Sequence, residues 1–131
     1  MTPVTCYVYG GGMPSSCQIP DPLAVVVAGT AGSGKSTLGR AIAETLRAPL
    51  VDLDSVTTPL LDALPADAFG GGHWLTSPHA PAIRAGRYAA LLATAADAIA
   101  TAGRAVIVAP FTSELSGGEE WQALVAALAP P

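Results

Sequence analysis

Residues 23–36 read Leu-Ala-Val-Val-Val-Ala-Gly-Thr-Ala-Gly-Ser-Gly-Lys-Ser, and this stretch decides the fold. Its first six residues form a short apolar run rich in valine, which is typical of a strand buried on both faces of a parallel sheet. A glycine-rich segment follows and leads directly into a run over residues 35–46 that predicts a helix. A buried strand, a glycine-rich loop and a helix in this order predict an α/β domain.

The glycine-rich segment over residues 29–36 matches the pattern G-x-x-x-x-G-K-[S/T] at every position. Glycines let successive backbone N–H groups turn toward phosphate oxygens, and the N-terminus of the following helix adds its dipole. Lys35, the only lysine in the chain, supplies a charge for the β- and γ-phosphates, and Ser36 offers a hydroxyl to Mg²⁺. The alternative is a glycine-rich turn without a ligand. The predicted nucleoside triphosphate site comprises Gly29, Thr30, Ala31, Gly32, Ser33, Gly34, Lys35, Ser36 and Thr37.

The rest of the chain alternates between predicted strands and helices. Apolar runs predict a second strand over residues 49–54 and a third over residues 105–109. Helical patterns cover residues 55–63, 82–102 and 119–128, and residues 65–81 are loop-rich. This alternation predicts a three-layer α/β sandwich, with a parallel sheet in the spatial order second, third, first strand.

Composition limits the classes of protein to consider. The chain has 131 residues, half of them apolar and 12% charged, which predicts one packed domain. Its longest strongly apolar run, residues 23–28, is far shorter than the roughly 20 residues of a membrane span. The net charge is −4 and there is no basic stripe, so neither a membrane nor nucleic acid is expected as a partner.

The first 22 residues differ from the remainder of the chain. They contain four prolines and a glycine triplet, which predict a poorly ordered extension before a nucleotide-binding domain over residues 23–131. Residues 4–9 are a candidate short edge strand. Cys6 and Cys17 lack the ligand spacing of a metal site, and nothing resembles a signal peptide. We therefore expect free thiols in the cytoplasm.

Two acidic residues, Asp52 and Asp54, lie at the end of the second predicted strand, where a spacing of two places them on one face. Ligands gather beyond the carboxyl ends of parallel strands, and carboxylates there can hold Mg²⁺ or orient and deprotonate a hydroxyl. We assign Asp54 to the acceptor as general base and Asp52, with Ser36, to the metal. The alternatives are solvated aspartates or an N-cap of the next helix.

The segments Gly-Thr-Ala-Gly-Ser-Gly-Lys-Ser-Thr-Leu-Gly-Arg over residues 29–40 and Pro-Leu-Val-Asp-Leu-Asp-Ser over residues 49–55 resemble the P-loop NTPase superfamily. Within it they resemble the small-molecule kinases grouped with gluconate, shikimate and adenylylsulfate kinases, and bacterial proteins described as AAA family ATPases or predicted kinases. The resemblance covers residues 23–129. It implies ATP and Mg²⁺ as cofactors and transfer of the γ-phosphate to a small hydroxylated acceptor.

The helix over residues 82–102 carries Arg84, Arg87 and Tyr88 on one face. In the kinases that the chain resembles this helix borders the acceptor, which makes Arg87 and Tyr88 candidate substrate contacts. The alternative is a helix with solvated arginines. His73 and His79 flank Trp74 in the loop-rich segment and are interpreted as surface histidines, with a lid as the alternative; Asp62 is interpreted as solvated.

Two features separate the chain from motor and transporter ATPases. The third predicted strand is followed by Pro110 and Phe111, with no acid to hold a magnesium-bound water. Residues 115–119, Leu-Ser-Gly-Gly-Glu, resemble the signature of ABC transporters, but they follow that strand directly and are interpreted as a turn. A second class therefore stays open beside the kinase: a module that binds ATP or GTP with little transfer.

The chain also differs from the kinases that it resembles in the number of strands that can be placed. The kinases it resembles have five parallel strands and an arginine-bearing lid, whereas only three strands can be placed here. We therefore expect an incomplete kinase, with weak nucleotide binding and negligible transfer by the isolated chain. An open edge along residues 23–28 also predicts self-association.

Overall fold

The computed structural model describes residues 5–10 and 21–129. The strands are β1 (Thr5–Gly10), β2 (Leu23–Ala28), β3 (Leu50–Asp52) and β4 (Arg104–Ala109). The α-helices are α1 (Lys35–Leu46), α2 (Leu53–Ala63), α3 (Ala80–Ala102) and α4 (Glu119–Leu128). Short 3₁₀ turns lie at Ala66–Phe69, Trp74–Thr76 and Glu114–Ser116. Within these described ranges, no helix combines the length and the apolar character that crossing a membrane requires.

One sheet with the order β1-β2-β4-β3 forms the centre of the fold. β2 and β4 pair in parallel from Leu23 opposite Arg104 to Ala28 opposite Ala109, and β3 pairs in parallel with the other side of β4. The predicted α/β class and the parallel three-strand core are confirmed. The sheet differs from the predicted order by one additional strand, β1.

Strand β1 pairs antiparallel with β2 over its whole length, from Thr5 opposite Ala28 to Gly10 opposite Leu23. β2 is therefore an inner strand, and the expectation of an open edge along residues 23–28 is wrong. The predicted edge strand over residues 4–9 is observed as Thr5–Gly10, and Val4 lies outside the described residues.

The central strands β2 and β4 are buried on both faces of the sheet, as the apolar runs predict. Alternate residues of β2 and β4 point to opposite sides, so Val26 and Ile107 pack with α3 and α4 on one face. Val25 and Val108 pack with Ala43 of α1 on the other face. Because β2, β4 and β3 pair in parallel, their carboxyl ends lie at the same end of the sheet. Ligands of such sheets bind beyond these ends.

Gly39 of α1 is buried close to the sheet, against Val108 of β4. A Cβ at this position would overlap the Val108 side chain. Overpacking of this kind costs about 1–3 kcal/mol, and alanine returns up to about 1 kcal/mol of helix propensity. We expect Gly39→Ala to lower the free energy of unfolding by about 1–2 kcal/mol in urea denaturation.

The matched control is Gly86→Ala in α3, where a Cβ would meet no atom within 4 Å. That variant is expected to be neutral or slightly stabilised, since only helix propensity changes. Equal stability of the two variants would contradict the close packing of α1 on β4.

Candidate active site

The loop between β2 and α1 has the backbone shape of a phosphate-binding nest. Gly32 and Gly34 adopt positive φ angles of 75° and 89°, a region that favours glycine. The Ser33 N–H donates to the Thr30 carbonyl oxygen at 3.2 Å, which closes a turn, and the Leu38 N–H donates to the Gly34 carbonyl oxygen at 3.0 Å. This turn leads directly into the N-terminus of α1, where the helix dipole favours a bound anion.

The remaining predicted loop residues line this turn. Gly29 is buried at the end of β2, whereas Thr30 and Ala31 are exposed at the tip and Thr37 is exposed in the first turn of α1. The Lys35 ammonium group donates to the Thr30 carbonyl oxygen at 3.2 Å, so the charge lies over the loop. The arrangement fits a nucleotide's phosphates, since a cation and a helix N-terminus meet over one concave backbone turn.

The hydroxyl of Ser33 adds a second observation in the same loop. Its oxygen is buried and makes no hydrogen bond with any described residue. Buried hydroxyls in folded proteins are normally paired, and an orphan in a native structure is typical of a site that receives a partner. This orphan therefore points, independently of the sequence motif, to a polar ligand in the loop.

The predicted metal residues come together. The Ser36 hydroxyl donates to Asp52 Oδ2 at 2.8 Å, and Asp52 is 9% exposed at the end of β3. A hydroxyl and a carboxylate oxygen suit Mg²⁺, which is commonly held by one or two protein ligands together with phosphate oxygens and water. In the part of the chain that the structure describes, no cluster of three or more His, Cys, Asp or Glu could hold a metal by itself. The residues present fit a magnesium ion shared with phosphates.

The two aspartates do not share a strand face, which corrects the prediction. β3 ends at Asp52, whose Oδ1 accepts from the Asp54 N–H at 2.9 Å and caps α2. Asp54 lies in the first turn of that helix, and its side chain is 72% exposed. Asp52 therefore combines two predicted roles, N-cap and partner of Ser36, whereas Asp54 projects from a different element.

Arg87 of α3 binds Asp54 directly. Its Nη2 donates to Asp54 Oδ1 at 2.7 Å, and its Nε donates to the Thr57 hydroxyl at 2.7 Å. Its guanidinium carbon lies 4.7 Å from the ring centroid of Trp74. Because the Arg87 side chain is only 13% exposed, these contacts fix its orientation and with it the position of the Asp54 carboxylate.

Tyr88, the other predicted substrate contact, is buried. Its hydroxyl accepts from the Phe111 N–H at 3.1 Å, and its ring meets the Phe111 ring edge-on at 5.6 Å. Burial raises the pKa of the Tyr88 phenol, while the hydrogen bond from Phe111 lowers it by less. Tyr88 is therefore a neutral phenol at neutral pH. It supports Phe111, a non-glycine residue with a φ of 49° just beyond the end of β4.

A cavity of ≈ 530 Å³ opens at the same edge of the sheet. Its lining includes Leu53, directly after β3, and Pro110, directly after β4, so it lies beyond the carboxyl ends of both strands. Arg84, Arg87 and Tyr88 all line it, which places the three residues predicted to share a helix face in one wall. Ligands of open parallel sheets bind beyond the carboxyl ends of the strands, which makes this cavity a candidate ligand site.

Trp74 is the site residue that sequence reasoning missed. Its indole N–H donates to Asp62 Oδ1 at 3.0 Å, and its ring, 7% exposed, lines the cavity and lies against Arg87. Asp62 is thus a partner of Trp74, not merely solvated as we expected. The available signal was a large aromatic residue inside a polar, glycine-rich segment.

Other predicted residues of the loops lie outside this cavity wall. His73 is exposed and its Nδ1 accepts from the Leu75 N–H at 3.2 Å, and His79 is the residue before α3. Residues 115–119 include Gly117 and Gly118, both with positive φ, directly before α4. That segment forms the turn that we expected.

The fold and the loop define the class: this is a P-loop α/β domain. Comparison with known proteins narrows the class. The family model for shikimate kinase matches residues 31–73, a stretch that contains Lys35, Ser36, Asp52 and Asp54. None of the curated proteins compared with the chain matches it.

A solved structure is also similar. It belongs to a protein of Chloroflexus aurantiacus J-10-fl described as a "putative kinase", with 26% sequence identity and a TM-score of 0.56. The match covers 79% of this chain and 51% of that protein, so the chain spans about half the length of the structure it matches. The fold is therefore that of the P-loop kinases, a kinase-like nucleotide-binding fold.

Proposed function

We propose that the chain is a small-molecule kinase, which transfers the γ-phosphate of ATP to a hydroxyl group of an acceptor bound beside Asp54. One observation carries the proposal. A single edge of the sheet brings together the phosphate-binding loop, the Ser36–Asp52 pair, the Asp54–Arg87 pair and a cavity of ≈ 530 Å³. A kinase needs these parts adjacent, because phosphoryl transfer depends mostly on positioning and charge stabilisation.

The nucleotide side of the reaction falls to the loop. The backbone N–H groups around Gly32 and Gly34 would bind the phosphates, and Lys35 would leave the Thr30 carbonyl to neutralise the β- and γ-oxygens. Ser36 and Asp52 would hold Mg²⁺. When bound, the ion draws charge from the phosphate oxygens and orients them for in-line attack.

The acceptor side falls to Asp54. Its exposed carboxylate is bound to Arg87, which lines the cavity. A hydroxyl of an acceptor held beside Arg87 would come near this carboxylate, which could orient the hydroxyl and take its proton. Arg87 supports this role, because its hydrogen bond to Asp54 Oδ1 holds the carboxylate beside the cavity that Arg87 lines.

The second candidate is a nucleotide-binding module with little transfer. The observation that favours it is the pairing of both arginines of the cavity with carboxylates, so that neither is free to stabilise the charge of a transferring phosphoryl group. Such a module would bind ATP or GTP at the same loop and would leave the cavity without a reacting acceptor.

Product analysis separates the two candidates. The chain is incubated with ATP labelled at the γ-phosphate, Mg²⁺ and a pool of small hydroxylated metabolites, and the products are separated chromatographically. The kinase proposal expects the label in a phosphorylated small molecule, and in no such product when Lys35→Ala replaces the parent chain. Label found only in ATP or inorganic phosphate would contradict the proposal that this chain transfers phosphate, and would support the module or the negligible transfer that we expected of the isolated chain.

A further inference from the structure

We infer that the acceptor is an uncharged alcohol with a largely apolar body, and not a sugar acid or a polyol. The inference rests on the proposed kinase function and adds the chemical class of the second substrate. It follows from two features of the cavity: the side chains of its walls and the pairing of its charges.

The walls of the cavity are mainly apolar. Trp74 and Tyr88 contribute aromatic rings that are 7% and 9% exposed, and Leu53, Leu75 and Ile83 add aliphatic surface. A polyol bound against such walls would lose its hydrogen bonds to water without gaining others, at a cost of about 1–3 kcal/mol per hydroxyl group (the range seen when buried polar groups lose their partners). An acceptor with an aromatic or aliphatic skeleton has no such hydrogen bonds to lose, and its binding removes apolar surface from water.

The two arginines that line the cavity are already paired with carboxylates. Arg87 binds Asp54 at 2.7 Å, and Arg84 Nη2 lies 3.9 Å from Glu114 Oε2. The four groups together carry no net charge, so the cavity does not attract an anion as a pair of free arginines would.

Glu114 makes an anionic acceptor still less favourable. Its side chain is 14% exposed, and Oε2 makes no hydrogen bond with any described residue, so Arg84 is its counter-ion. An acceptor carboxylate on Arg84 would compete with Glu114 and leave a buried negative charge uncompensated, which is costly in a protein interior.

Arg87, which holds Asp54, lines the cavity together with apolar side chains such as Leu75 and Ile83. An acceptor with one hydroxyl group directed to Asp54 and an apolar body against these side chains matches this lining. The volume of ≈ 530 Å³ lies within the range of known small-molecule sites, about 300–1,000 Å³.

Three probe alcohols test the inference. 4-Methylbenzyl alcohol is uncharged and apolar, 4-(hydroxymethyl)benzoate has nearly the same body with a carboxylate, and ribitol is a polyol. Binding is measured without nucleotide by tryptophan fluorescence titration, since Trp74 lines the cavity. Transfer is measured with labelled ATP and Mg²⁺. We expect 4-methylbenzyl alcohol to bind at least tenfold more tightly than the other two probes.

Matched variants locate the effect in the cavity. Leu75 lines the cavity and is 61% exposed, so Leu75→Asp adds a charge to its wall without disturbing the core. We expect Leu75→Asp to weaken the binding of 4-methylbenzyl alcohol at least tenfold. Leu60 is similarly exposed, at 68%, and lies on α2 outside this cavity. Leu60→Asp is therefore expected to leave binding unchanged.

A charge variant tests the argument from pairing. Glu114→Gln removes the partner charge of Arg84 with little change in shape. It is expected to improve the binding of 4-(hydroxymethyl)benzoate at least fivefold relative to 4-methylbenzyl alcohol. An unchanged ratio would overturn the pairing argument.

The outcomes separate this inference from the proposed function. Preferential binding of 4-methylbenzyl alcohol without phosphorylation of any probe supports the inference and contradicts transfer. Phosphorylation of ribitol or the benzoate at least as efficient as that of 4-methylbenzyl alcohol overturns the inference and leaves the kinase in place. Failure of 4-methylbenzyl alcohol to bind also overturns it.

Discussion

Lys35→Ala is expected to lower the affinity for MgATP by about 10- to 100-fold, the effect of losing a charge-assisted contact of about 1.5–3 kcal/mol. No other lysine is available in the chain to replace the charge. The fold is expected to survive, because Lys35 lies at the surface loop and its ammonium group contacts only the Thr30 carbonyl among the described hydrogen bonds. Isothermal titration calorimetry measures the affinity.

The matched control is Arg40→Ala, which removes a positive charge from an exposed position of the same helix, α1. It is expected to bind MgATP within about twofold of the parent, since surface charges away from a site contribute little. If the Lys35 variant binds MgATP as tightly as the parent, the assignment of the phosphate-binding loop is wrong.

Asp54→Asn is expected to lower kcat by about 10²- to 10⁴-fold, the range typical of a general base. The affinity for MgATP is expected to change little, because Asp54 lies on the first turn of α2 and contacts Arg87, whereas Asp52 contacts Ser36. Steady-state kinetics with a phosphorylated acceptor gives kcat, and calorimetry gives the affinity.

Asp67→Asn provides the control, because Asp67 is an exposed acid on the 3₁₀ turn Ala66–Phe69. It should leave both quantities unchanged. Turnover by the Asp54 variant equal to that of the parent would remove Asp54 from the reaction. Loss of MgATP affinity would instead place this residue on the metal side of the site.

The central part of the fold could be predicted because its signals are local. A continuous apolar run predicts a buried strand, and Gly32 and Gly34 indicate a backbone conformation with positive φ that other residues rarely adopt. The pairing of β1 with β2 was harder to predict, because it joins residues 5–10 to residues 23–28 across an intervening segment. Hydrogen bonds between distant backbone groups leave little trace in the side-chain pattern.

The contact between the predicted metal residues, Ser36 and Asp52, follows from the sequence more directly than the contacts around Asp54, Arg87 and Tyr88. Ser36 belongs to a motif of fixed geometry, and Asp52 ends a strand whose place in the sheet follows from the topology. The apolar run predicts a strand that extends to Asp54, yet the Asp52 side chain caps a helix that begins one residue later. Capping outweighed the apolar run at this boundary.

The acceptor half depends on contacts between elements far apart in sequence. Trp74 lies against Arg87 and donates to Asp62, and none of these three residues belongs to a recognisable motif. Tyr88 was correctly placed on the helix face that lines the cavity, but its hydroxyl is directed to the Phe111 backbone. Only the packed structure shows which member of a helix face reaches the cavity and which supports the core.

The most direct measurement is a crystal structure of the chain with Mg²⁺ and a non-hydrolysable ATP analogue. We expect the phosphates to lie in the loop over residues 29–36, with Ser36 and Asp52 facing the magnesium ion. We expect the γ-phosphate to point toward Asp54 and the cavity. A nucleotide bound elsewhere, or a γ-phosphate directed away from Asp54, would contradict it.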